Sequence, residues 1–228
     1  MKTYLILAAA LAIANISAGQ TTFQNLDFEA ADVSGVQPGG AIATSLAFPD
    51  WQALYNTTPF SQVSYDGISI GAQQISIVDN YSPYGLTAIQ GNYSADLFAA
   101  TFPGNSYSVT LSQTALVPLG TQSVELDVNQ EPSSSFLVTL GGAQVNMVPV
   151  QAFANFTLWG GNVSSFAGQN ETLNITELPP ANQQFSPSLL ELDNITFSPN
   201  AVPEPDTLAL ALTGGAVLAA RRRHRRKR

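Results

Sequence analysis

The long middle of this sequence offers carboxylates, hydroxyls, amides and aromatic rings for chemistry, and no stronger nucleophile or base. Between Thr3 and Ala220 there is no lysine or arginine, no cysteine occurs anywhere, and the single histidine is His224. This excludes from the middle a Ser–His–Asp or Cys–His nucleophile, a Schiff-base lysine, an arginine phosphate clamp and a Cys/His zinc site. It also excludes a nucleic-acid groove, because phosphate affinity comes chiefly from Lys and Arg. Carboxylates alone suffice for glycoside hydrolysis, which pairs an acid with a base or nucleophile. Asp66, Asp79, Asp96, Glu125, Asp127 and Glu131 are available, and Glu125 and Asp127, two residues apart, share one face of a strand. No spacing singles out a pair, so no catalytic residue is assigned. The expectation is a protein that is not an enzyme, with a secreted carboxylate glycosidase as the third reading.

Aromatic rings are the other resource. Trp51, Tyr55, Tyr81, Tyr84, Tyr93 and Trp159 have polar neighbours, and sugar rings stack on such side chains; large aromatics also dominate sandwich cores. Trp51, following Pro49-Asp50, reads as packed, and Tyr81-Ser-Pro-Tyr84 as a loop, where binding residues concentrate. The ligand-binding residues themselves remain unknown from sequence.

The elements that must position these groups are β-strands. Alternating runs occur at Ser61–Tyr65, Ser106–Ser112, Gln122–Val128, Phe153–Leu158, Thr172–Thr176 and Leu190–Phe197. Asp66-Gly67 reads as a hairpin turn into Ile68–Ile70, and Gly141-Gly142 as the turn between Phe136–Leu140 and Ala143–Val148. Turn chemistry every 8–12 residues predicts an all-β fold, an antiparallel β-sandwich or jelly roll. Residues 19–202 hold 14 carboxylates and no basic side chain, so no salt bridge forms within them and acidic polymers are repelled unless a divalent cation bridges them.

The two ends carry addresses. Lys2, the apolar run Tyr4–Ala14 and the small residues up to Ala18 read as a secretory signal peptide, residues 1–18, cut after Ala18 by signal peptidase. At the other end, Pro203-Glu204-Pro205 precedes the uncharged stretch Leu208–Ala220 and a tail holding Arg221, Arg222, Arg223, Arg225, Arg226, Lys227 and Arg228. A helix of that stretch is about 20 Å long, short against the ~30 Å hydrocarbon core. The tail stays cytoplasmic by the positive-inside rule and leaves the body outside. An export signal and no cysteine mean a fold without disulfides.

Val202-Pro-Glu-Pro, the Leu/Ala/Gly-rich stretch and the terminal arginines resemble the PEP-CTERM sorting domain of exported proteins from exopolysaccharide-producing bacteria. The resemblance implies an exosortase that cuts near Pro203, Glu204 and Pro205 and passes the body to the cell surface or extracellular matrix. Asn25-Leu-Asp-Phe-Glu29, Phe48-Pro-Asp-Trp51 and Leu192-Asp-Asn-Ile195 are similar to galactose-binding-like jelly rolls and carbohydrate-binding modules. By that resemblance Glu29 and Asp193 are side-chain ligands of a structural calcium ion; oxygen-only ligation suits calcium. Asn-x-Ser/Thr triplets at Asn56, Asn92, Asn155, Asn162, Asn170, Asn174 and Asn194, and at Asn15 in the signal, read as an Asn- and Thr-rich β surface beside this bacterial-type tail.

Together these readings give a signal peptide (1–18), a β-sandwich domain (19–200) and a sorting domain with a single hydrophobic helix (201–228). The protein is expected to be exported, transiently anchored in the inner membrane by that helix, then released to the surface or matrix. Its expected role is structural or adhesive, with a carbohydrate-binding module of the exopolysaccharide matrix as the alternative. Its expected partners are signal peptidase, exosortase, the membrane and extracellular polysaccharide, with no nucleic acid.

Overall fold

The computed structural model describes residues 21–69, 72–181 and 187–202. Ala18 and the expected signal peptide, the triplet Pro203-Glu204-Pro205 and the expected C-terminal hydrophobic helix lie outside the described residues. Among those that are described, no helix is long and apolar enough to cross a membrane.

The chain is all-β, as its alternation predicts. In order come β1 (Ala41–Ala43), one helical turn α1 (Thr44–Ala47), β2 (Gln52–Tyr55), β3 (Thr58–Phe60), β4 (Gln62–Tyr65) and β5 (Gln74–Asp79). Next are β6 (Tyr93–Phe102), β7 (Asn105–Tyr107), β8 (Val109–Leu116), β9 (Ser123–Gln130) and β10 (Phe136–Leu140). The last are β11 (Ala143–Val145), β12 (Val148–Ala152), β13 (Thr157–Asn162), β14 (Asn170–Glu177) and β15 (Pro187–Ser198). A nine-stranded sheet runs β1-β4-β5-β6-β15-β9-β13-β12, with β7 paired to β6; a six-stranded sheet runs β11-β10-β14-β8-β2-β3. Leu97, Leu126, Leu190 and Leu192 of the first sheet and Leu111, Leu140, Leu173 and Ile175 of the second are fully buried in one core. Each such side chain contributes about 1.5–3 kcal/mol of transfer free energy, which a domain without disulfides or ion pairs needs.

The outer strands are blunted. β1, β3 and β11 have three residues each, and β3 and β12 carry Pro59 and Pro149.

Local chemistry explains where the strands stop. Gly141 and Gly142 have φ of 59° and 79°, the two left-handed positions of a type I′ turn, and join β10 to β11 in the register Leu140↔Ala143. The run Ser106–Ser112 is broken at Ser108, whose N–H and hydroxyl both bond Asn56 Oδ1. The strand expected from Phe153 starts instead at Thr157, because Phe153–Phe156 closes a turn with Phe153 N–H on the Phe156 carbonyl (2.8 Å).

Asp66-Gly67 does not close a hairpin. β4 and β5 pair in parallel, Ser64↔Ser76 and Tyr65↔Ile77. Asp66 is buried at φ 47°, its N–H donates to the Ile77 carbonyl (2.8 Å), and its Oδ1 accepts from Asp79 N–H (3.1 Å). A short polar side chain tolerates this left-handed backbone, and here it fastens two strands rather than turning between them.

Candidate functional site

Glu29 and Asp193 converge on one turn, Gln90–Ser94. Glu29 Oε1 accepts from the N–H groups of Asn92 (2.6 Å) and Tyr93 (3.0 Å), and Oε2 from the Asn92 amide (2.7 Å). Asp193 Oδ2 accepts from Gln90 N–H (3.1 Å) and the Ser94 hydroxyl (2.9 Å), and Oδ1 from Asn194 N–H (2.7 Å). All four carboxylate oxygens therefore meet donors, and they clip the turn to the first and last segments of the sandwich. Burial opposes ionisation of Glu29, but the bonds from Asn92 and Tyr93 outweigh it and hold its pKa below the ordinary value. Burial pushes Asp193 up to about 7 in spite of its three donors. Among the described residues, no group of three or more His, Cys, Asp or Glu is placed to hold a metal ion.

The same sheet buries acids along its outer face. Residues directly opposite on paired strands share a face, so Ser64, Ser76, Asp96, Glu191 and Asn129 form one row across β4, β5, β6, β15 and β9. Asp96 and Glu191 are 2% and 8% exposed, and each keeps one carboxylate oxygen without a hydrogen-bond partner. Asn129 donates to the other Glu191 oxygen (2.9 Å). Burial first, then the neighbouring Glu191, raises Asp96 well above the carboxylate range, and burial raises Glu191 to about 7. No Lys or Arg between Thr3 and Ala220 is available to offset the pair. Asp127, on the same face, is also buried and bonded by the amides of Gln90 and Asn194, so Glu125 and Asp127 do not form an open solvent-facing pair.

Trp51 is packed, as its sequence context predicts. It is 5% exposed, lies 5.9 Å from the Phe28 ring, and its indole N–H donates to the Asn25 carbonyl (2.9 Å). Tyr55 lies 3.8 Å from the Phe60 ring, and Tyr93 packs on the core. Tyr81 and Tyr84 are exposed on their loop. Trp159 is half-buried; it packs against the core on one side and lines open space on the other.

Trp159 stands in a cleft at one end of the sandwich, where β9, β12 and β13 meet β10 and β11. Two concavities of about 270 and 470 Å³ share Trp159 and Gln130 as a common wall. Phe136 meets Trp159 edge-on at 5.2 Å and 85°, and Phe153 stacks on Phe156 at 4.5 Å in the β12–β13 turn. Asn155 ties this turn to the Ile89 carbonyl (3.3 Å). The polar lining is amide and hydroxyl: Asn129, Gln130 and Asn155 on one side, Gln144, Asn146 and Ser135 on the other. Among the described residues no ionisable side chain lines either concavity, although the body is dense in carboxylates. Sequence reasoning found Trp159 and missed Phe136, Phe153, Phe156 and the amides. Strand pairing and the packing of one sheet on the other assemble them, and no local spacing signals it.

A model of the PEP-CTERM protein-sorting motif matches residues 201–223. The C-terminal segment is thus a sorting motif, which implies export and processing by an exosortase. No curated protein matches the chain. Among solved structures the body is similar to TmCBM61, solved with β-1,4-galactotriose, at 13% identity over 77% of this chain and 95% of that one, with a TM-score of 0.44. It is also similar to Caldicellulosiruptor saccharolyticus CBM27-1, solved with mannohexaose, at 13% identity over 58% and 86%, with a TM-score of 0.37. A third is the enzymatically active domain of bacteriophage CBA120 tailspike protein 4, at 12% identity, 77% of this chain, 21% of that one and a TM-score of 0.39. The resemblance to carbohydrate-binding-module jelly rolls is one of fold.

Proposed function

We propose that this is an exported cell-surface or matrix protein whose body adheres to a neutral polysaccharide through the Trp159 cleft. The observation that carries this is the lining: aromatic rings beside amides, with every carboxylate of an acidic body kept out. Rings take the apolar faces of sugars, and amides, which both donate and accept, take hydroxyls. A ligand carrying carboxylates or sulfates would meet a negative body with no cation to receive it. The opposed Asp96 and Glu191 are the nearest approach to a hydrolase pair, and neither lines the cleft, so binding without turnover is the reading they support. A glycan array with the folded body, followed by calorimetry on the best neutral oligosaccharide, tests it. Trp159→Ala should weaken binding at least about 30-fold, the effect of losing an aromatic hot spot worth about 2 kcal/mol. Saturable binding that Trp159→Ala leaves unchanged would move the site elsewhere, and preference for acidic glycans would overturn the proposal.

A further inference from the structure

The body holds on to the start of its own sorting signal. After β15 the chain continues along the outer side of the nine-stranded sheet: Gln122 N–H bonds the Ser198 carbonyl (2.8 Å), and the Ser123 hydroxyl bonds the Asn200 carbonyl (2.7 Å). Val202, half-buried, then lies over Gly160 of β13. A Cβ at Gly160 would come within 2.6 Å of Val202 Cγ2 and 3.1 Å of Val150 Cγ2, with Glu125 Cγ at 3.5 Å. Gly160 has no positive φ, so glycine is not there to permit a left-handed turn. What it supplies is room, as strand glycines do where another segment approaches closely.

Val202 is the second residue of the matched sorting motif, and Pro203-Glu204-Pro205 follows it directly. Leu208, where the apolar stretch begins, is six residues on from Val202; fully extended that tether reaches about 20 Å. While Val202 is seated, the cleavage motif has that short tether and no more.

We propose that Gly160, Val150 and the Glu125 methylenes form a seat for Val202, and that release from this seat limits how fast the processing peptidase cuts the motif. The proposal rests on the sorting reading of residues 201–223. Because the chain has no cysteine, a single introduced thiol reports the seat. In the purified full-length chain, the thiol of Val202→Cys should react with a maleimide about tenfold more slowly than that of Ala201→Cys, whose parent side chain is exposed. Adding Gly160→Ala should erase the difference. Equal rates at the two positions without Gly160→Ala would overturn the seat. In the exporting host, Gly160→Ala and, separately, Val202→Ser should speed loss of the arginine tail several-fold, followed by intact mass in a pulse-chase. Val202→Ser leaves the sheet itself unaltered, which keeps the test decisive if Gly160→Ala folds poorly. An unchanged processing rate in both variants, with the thiol protection present, would overturn the gating. A wild-type mature form still ending in Arg228 would instead overturn the sorting reading, while the thiol result would stand on its own.

Discussion

Glu177 offers a direct test of how a domain without cations tolerates buried acids. It lies on β14 and is 0% exposed; Oε2 accepts from the Ser134 hydroxyl (3.0 Å), and Oε1 has no partner. Burial raises its pKa from 4.5 to about 7, against the opposing bonds of Ser188, Ser134 and Ser135. The folded protein therefore keeps a proton that the unfolded chain releases. The resulting stability is fully present below pH 4.5 and is lost as pH rises to about 7. At 1.36 kcal/mol per pKa unit this amounts to roughly 3 kcal/mol, a sizeable part of the 5–15 kcal/mol typical of a domain. For a domain of this size it lowers the melting temperature by roughly 6–12 °C between pH 4.5 and pH 8. Asp66, raised to about 6, and Glu191 and Asp193, raised to about 7, change in the same direction, so the whole body should melt higher in mild acid. Glu177→Gln isolates one contribution: the amide oxygen still accepts from Ser134, and no charge forms at any pH. Calorimetric melts of both proteins from pH 4.5 to 8 should show a flatter profile for the variant, with the gap closing in acid. A variant profile parallel to that of the wild type would refute the reasoning.

Other consequences can be checked on the same material. Because N–H and O–H donors occupy Glu29 and Asp193, neither chelator nor added calcium should move the melting temperature by more than about a degree; a calcium-dependent rise would show a bound ion. Glu29→Ala should cost about 1–3 kcal/mol in chemical denaturation, by freeing the Asn92 and Tyr93 donors. Trp51→Phe should cost a similar amount, because the Asn25 carbonyl loses its indole donor. It should leave glycan affinity intact, in contrast to Trp159→Ala.

How much of this was legible from sequence depended on whether polar residues alternate with apolar ones along a strand. In β8, β9, β10 and β14 they do, and the alternation showed, although β8 and β9 are buried on both faces over Val109–Gln113 and Leu126–Val128. β6 is buried on both faces over Ser94–Ala100, and Tyr93–Phe102 shows no period of two. The Asp66-Gly67 error has the same root: a turn-forming dipeptide carries no record of the distant Ile77 and Asp79 groups that redirect it. Trp159 was noticed because tryptophan is conspicuous anywhere. Its neighbours Gln130 and Phe153 come to it through the β9–β13 and β12–β13 pairings, and Phe136 through the packing of the other sheet against this one, which no stretch of sequence spells out. The buried pair Asp96 and Glu191 was half visible: Asp96 stood out as a carboxylate, and the register that sets Glu191 opposite it did not.

The blunted outer strands bear on life in a crowded layer. A sheet flank with free N–H and C=O groups invites a neighbouring copy to add its own strand, and the risk grows with local concentration. Here three flanks are only three residues long, and β3 and β12 carry Pro59 and Pro149, each lacking the N–H that such pairing requires. Many copies held side by side in a polymer mesh would therefore remain separate bodies. If the body grips polysaccharide as proposed, their cohesion would come from strands held in common, leaving the mesh free to slide, swell and re-form without setting into fibres.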